Sequence, residues 1–178
     1  MVNKLLPSPW MKSKLTTLLG DSSDGRKQFN SFPHRMVQVL VASDADRFLI
    51  ISDIDSRMTV MLTEECVAQL ASDEHSVSDL RHSMIRLVKY HFSTTIQCTG
   101  FRDEEKFFNQ KITFPVVIQC SEVKYVGAFG VDIIEAPCDL NSDPDVVMQL
   151  KTLTYPALVE RLACRQFPKK GFLPDSGL

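Results

Sequence analysis

Apolar and polar positions along the 178-residue chain change period several times, and each change marks an element. "RMVQVLVA" from Arg35 alternates with period two, Val37, Val39 and Val41 on one side and Met36, Gln38 and Leu40 on the other. This predicts a first strand. The polar turn "SDAD" leads into "RFLIIS" and the turn "DIDS" into "RMTVML", which predicts two more strands in a meander. Thr63 then stands where a helix cap belongs, with Glu64 and Glu65 in the first turn, where the helix dipole favours acids. Cys66, Val67, Leu70 and Ala71 form the expected buried stripe of that helix, which gives way to the polar run "SDEHSVSDLRHS", Ser72 to Ser83.

Met84 to Cys98 is rich in β-branched and aromatic residues and reads as a long fourth strand, bent near "FSTT". After a charged loop, "ITFPVVIQCSEVKYV" reads as a fifth strand with Phe114, Val116, Ile118 and Cys120 on one face. Asp143 followed by Pro144 starts a C-terminal helix with Val146, Val147, Leu150 and Leu153 as its apolar face; Pro156 interrupts or kinks it before it continues to about Phe167. Ahead of the first strand, "PSPW" is extended and Met11 to Leu19 forms a short helix, in an arm expected to be draped over the domain. The division is therefore an N-terminal arm over 1–34, one domain over 35–167 and a linker-like tail over 168–178.

Three strands, a helix, two strands and a C-terminal helix is the order of an OB-fold, a mainly β, five-stranded, partly open Greek-key barrel with a helix between strands 3 and 4. In this frame Val39, Ile50, Val60, Leu87 and Ile118 are expected in the barrel core, and strands 2 and 3 form the usual binding face.

Composition narrows the function. Hydrophobic residues make up 44% and charged residues 24%, ordinary for a globular chain, and the formal net charge of -2 lacks the basic excess of a polyanion binder. No apolar run is long enough to span a membrane, and five cysteines without a C-x-x-C pair fit a reducing compartment. The histidines His34, His75, His82 and His91 form no metal or catalytic pattern, no phosphate loop is present, and no enzyme activity or cofactor is expected. "GAFG" at Gly127 to Gly130 reads as a turn, and the acid pairs Asp53/Asp55 and Glu104/Glu105 as solvated surface.

Single-stranded nucleic acid is the natural ligand of an OB barrel, held by aromatic stacking in a basic groove. Here strands 2 and 3 offer Phe48 alone among aromatics, with Asp44, Asp46, Asp53 and Asp55 at their turns, while Phe101, Phe107 and Phe108 lie among Asp103, Glu104 and Glu105. Weak or no direct nucleic-acid binding is expected, and a protein partner fits better. A single-strand-binding domain of replication or repair type is the alternative.

Three segments carry a resemblance: "LLPSPWMKSKL" in the arm, "LIISDIDSRMTVMLTEECV" across strands 2 and 3, and "NSDPDVVMQLKTL" at the C-terminal helix. In order and spacing they resemble the telomeric shelterin subunit called the adrenocortical dysplasia protein homologue, with its fungal and ciliate counterparts. The resemblance implies a non-catalytic OB domain, in the nucleus at telomeres, that recruits telomerase reverse transcriptase and raises its processivity. It also implies a DNA-binding partner, the protection-of-telomeres protein, held by a region beyond the OB domain, and other shelterin subunits. The family's telomerase contact maps onto Asp73, Glu74 and Ser76, then Arg86 at the head of strand 4. Ser76 replaces an acid of the family pattern, and Arg81, His82, Arg86 and Lys89 make the surface mixed in sign. The resemblance adds the arm residues Pro9 and Trp10, which packing of the arm explains equally well. The run from Ser72 to Ser83 likewise fits either a partner surface or a solvated loop.

Overall fold

In the computed structural model, residues 9–20, 35–95, 115–127 and 137–166 are described. The strands are β1 (Arg35–Ser43), β2 (Phe48–Ser52), β3 (Ser56–Leu62), β4 (Met84–Thr94) and β5 (Val116–Gly127), with a two-residue β6 (Cys138–Asp139). β1, β2 and β3 pair as an antiparallel meander, β3 pairs parallel with β5, and β5 and β1 both pair antiparallel with β4. The circuit 1-2-3-5-4-1 closes a five-stranded mixed barrel, the OB arrangement. β6 extends β3 at Ser56 and Arg57.

Helices close and flank the barrel: α1 (Met11–Leu19), α2 (Glu64–Ser72) between β3 and β4, α3 (Pro144–Thr152) and α4 (Tyr155–Gln166). Thr63 caps α2, its hydroxyl accepting from the Cys66 N–H at 3.2 Å, and the Asp143 carboxylate caps α3 by accepting from the Asp145 N–H at 3.0 Å. Cys66 and Leu70 are buried under α2 as the periodicity demands, whereas Val67 is half-buried and Ala71 is exposed. The stripe is narrower than expected because α2 packs chiefly on one strand, β5. Pro156 does not kink a continuous helix: α3 ends at Thr152, Leu153 is extended, and Pro156 sits in the first turn of α4, where its missing N–H is harmless.

Two register features correct the expected core. In β2 the inward residues are Leu49 and Ile51, facing Val60 and Met58 of β3, and Ile50 beside Thr59 is half-buried on the outside. Val39, Val60, Leu87 and Ile118 are fully buried as expected. A bulge between Val39 and Val41 turns the latter outward, leaving it 39% exposed and handing the inward phase to Ala42. In β4 the register shifts lie at Met84/Ile85 and between Leu87 and Tyr90, not at "FSTT". The shift between Leu87 and Tyr90 carries β5's inward phase from Cys120 to Val123.

The described part of the arm, residues 9–20, is not draped. Trp10, Met11, Leu15, Leu18 and Leu19 belong to the buried core, because α1 lies in the angle between the barrel and helices α3 and α4. A nine-residue helix is marginal alone, and neighbours satisfy its ends. The Asp53 carboxylate accepts from the Trp10 and Met11 N–H groups at 2.7 and 2.8 Å. At the other end Gln149 donates to the Thr16 carbonyl at 3.1 Å and the Arg161 guanidinium donates to that of Leu19. Lys12 bridges Asp143 and Asp145 of the α3 cap at 3.0 and 2.9 Å.

Candidate interaction surfaces

Of the sequence-predicted contact residues, Pro9 and Trp10 line one groove and Asp73 lines a second, separate one. The first, about 340 Å³, runs between α1 and the β2–β3 turn and is lined by Pro9, Trp10, Lys12, Ser13 and Thr16 against Asp53, Asp55 and Ser56. Pro9 is exposed, but Trp10 is only 6% exposed: its indole meets Tyr90 and Phe92 edge-on at 5.6 and 6.4 Å, and the Arg35 guanidinium lies 5.6 Å from the ring centre. Trp10 is therefore first a core anchor. Burial and the neighbouring Arg35 charge push the Lys14 ammonium down to about 8, and burial pushes the Tyr90 phenol up to about 12.

Asp53 overturns the solvated reading of the Asp53/Asp55 pair. It is 1% exposed, and besides the two α1 donors it accepts from the Ser56 N–H at 3.0 Å. One carboxylate thereby closes the β2–β3 turn and starts α1; Asp55 is exposed. That turn needs the help, since Ile54 adopts a left-handed φ of 92°.

The second groove, about 360 Å³, lies where α2 meets β5 and is lined by Gln69, Leu70, Asp73, His75, Val88, Glu122, Val123, Lys124 and Tyr125. The His75 ring stacks on Tyr125 with centroids 4.9 Å apart, and the His75 N–H donates to the Leu70 carbonyl at 2.8 Å. Acids and bases alternate around it, with Lys89 meeting Glu122 at 3.3 Å.

The run from Ser72 to Ser83 is pinned. Val77 and Leu80 are buried, and a single 3-10 turn spans Ser78–Leu80. Asp79 accepts from the Ser76 N–H at 2.7 Å, which holds its carboxyl below the usual range, and the Ser78 hydroxyl together with the Ser78 N–H at 3.2 Å does the same for Asp44. The His82 N–H donates to the Val39 carbonyl at 2.8 Å.

On this scaffold Asp73 lines the α2–β5 groove, with exposed Glu74 and Ser76 next to it in the chain, and Lys89 reaches it through Glu122. Arg81 and His82 are exposed at the far end of the run, beside β1, and do not line the groove. Arg86 is half-buried in β4 between Met36 of β1 and Lys124 of β5. Pro9 and Trp10 belong to the other groove. Sequence reasoning missed Gln69, Glu122, Lys124 and Tyr125, whose proximity depends on the pairing of β4 with β5. "GAFG" from Ala128 onward and the loop with Phe101, Phe107 and Phe108 lie outside the described residues. Among the described residues no group of three His, Cys, Asp or Glu is arranged to hold a metal ion, and no helix is long and apolar enough to cross a membrane.

The circuit and the helix between β3 and β4 define an OB-type barrel with flanking helices. Its fold is similar to the solved structure of the Est3 telomerase subunit of the yeast Hansenula polymorpha, with a TM-score of 0.51 at 15% identity, over 80% of this chain and 83% of that one. No family model matches the chain, and no curated protein matches it.

Proposed function

We propose that this chain is a non-catalytic, telomerase-associated OB domain whose α2–β5 groove and adjoining residues Asp73, Glu74, Ser76, Arg81, His82, Arg86 and Lys89 meet the telomerase reverse transcriptase. In this role it recruits telomerase to chromosome ends in the nucleus and supports its processivity, while a DNA-binding partner of the protection-of-telomeres type, with other shelterin subunits, contacts the single strand. Pro9 and Trp10 contribute chiefly by holding α1 in place.

The observation that carries this reading is the likeness of fold, over most of both chains, to the yeast Est3 telomerase subunit. Surface chemistry supports it. The outer face of β2 and β3 presents Phe48, Ile50, Thr59 and Met61 with one cation, Arg57, and acids at its turns, a poor seat for a phosphate backbone. The α2–β5 groove instead mixes both charge signs around an aromatic stack, the composition of a protein contact.

The test is affinity capture from extract of the source cells, reading the telomerase catalytic subunit and its RNA. Enrichment of both, with no sub-micromolar binding of a fluorescent single-stranded oligonucleotide to the purified chain, is expected. No enrichment, together with tight oligonucleotide binding that weakens steeply with salt, would assign the chain to the single-strand-binding class.

A further inference from the structure

The outer face of the β1–β2–β3 meander carries two cross-strand rows: Val41, Ile50 and Thr59 in one, and Ser43, Phe48, Met61 and Gln119 of β5 in the next. Val41 is exposed, and Phe48, Ile50 and Met61 are half-buried. An antiparallel face that meets only water alternates toward polar side chains, so four adjoining apolar ones mark a contact. Met61 and Gln119 also line a cavity of about 230 Å³, which they share with Asp46, Arg47 and Glu64. We propose that this face docks an amphipathic helix of a protein partner, with apolar side chains on Val41, Phe48, Ile50 and Met61 and a flanking lysine or arginine in the cavity beside Asp46 and Glu64.

Charge selects the sign of the partner. The β1–β2 turn and the first turn of α2 supply four exposed acids, Asp44, Asp46, Glu64 and Glu65, against one exposed base, Arg47, which already meets Glu64 at 3.3 Å. Acids in this excess repel a phosphate backbone and attract a cationic segment. Topology selects the helix. β2 pairs with both β1 and β3, so this face offers no strand edge to an added strand, and the contact is made by side chains. Neighbouring strands are about 4.8 Å apart, so the row from Phe48 across Met61 to Gln119 covers about 10 Å, the rise from i to i+7 of a helix. A helix laid along that row sets i, i+3 or i+4, and i+7 over the three strands, and its flank meets the acids at the row's end.

The test selects binders to the immobilised full chain from a random peptide library displayed on phage, then measures the enriched peptides in solution by fluorescence anisotropy and circular dichroism. Peptides with apolar residues at i, i+3 or i+4 and i+7 beside lysine or arginine are expected, helical when bound and weakened by salt. Ile50→Lys, Met61→Lys and the fully exposed change Asp46→Lys, each with an unchanged unfolding midpoint, should lower affinity at least about tenfold. A peptide whose basic residue is changed to glutamate should bind Asp46→Lys better than it binds the wild-type chain. Failure to enrich any peptide, enrichment of acidic ones, or wild-type affinity in the Asp46→Lys and Met61→Lys variants would overturn the proposal. A concentration-dependent dimer in light scattering, abolished by Met61→Lys, would overturn it too, by giving the face to a second copy of the chain. None of the substituted residues lines the α2–β5 groove, so the outcome is independent of telomerase capture there.

Discussion

Asp53 concentrates more structural duty than any other polar side chain in the first groove: removing its carboxylate strands the N–H groups of Trp10, Met11 and Ser56 together. Asp53→Ala should therefore cost about 3 kcal/mol or more in a denaturant titration, since each buried donor left without an acceptor costs about 1 to 3 kcal/mol. A loss below about 1 kcal/mol would contradict the anchoring role. Lys14 supplies a pH test with a definite sign. Its folded value of about 8 lies below the ordinary lysine value of about 10.4, so the unfolded chain binds more protons between those limits. Stability carries the full penalty below about pH 8 and recovers as pH rises toward 10, before Tyr90, raised to about 12, acts in the opposite direction above 10. Lys14→Met should raise stability at pH 7 by up to about 3 kcal/mol and flatten that rise, as read by urea midpoints at pH 7, 8, 9 and 10.

Among the elements, β2 discriminates between the two possible phases of its alternation. Ile51→Ala should cost about 2 to 5 kcal/mol, the range for emptying a core site, whereas Ile50→Ala on the outside should cost under about 1 kcal/mol. Equal losses would refute the register. This is also where sequence reading reached its limit. Period-two runs, turn residues and the caps at Thr63 and Asp143 are local signals, so the strands, α2 and the start of α3 were legible, and their order pointed to the OB circuit. "FLIIS" has no polar alternation, so which residues face inward is decided by pairing with β3. The bulge after Val39 likewise depends on the partner strand. Asp53 and the N–H of Trp10, 43 positions apart, carry no mutual signal in the chain, and that contact helps seat α1 in the core.

At the scale of the whole molecule, the small net charge of -2 and the separation of the two grooves divide labour between them. The α1 groove belongs to stability, and its anchors cannot be altered without unfolding pressure. Exposed charges around the α2–β5 groove can be reversed at little cost, because exposed ion pairs contribute only about 0 to 1 kcal/mol to folding. Of the α2–β5 groove the sequence reading touched only Asp73; its β5 wall lies about 50 residues further along and reaches α2 only through barrel closure. Arg86, half-buried between neighbouring strands, is a poor probe for the same reason. The most direct measurement is telomerase activity co-precipitated by the wild-type chain and by Asp73→Lys, Glu74→Lys and Arg81→Glu, each checked for an unchanged unfolding midpoint. A recruiting role for this surface predicts at least about tenfold loss of captured activity in Asp73→Lys, corresponding to about 1.4 kcal/mol of lost association energy, and clear loss in the other two. Wild-type capture by all three folded variants would contradict it.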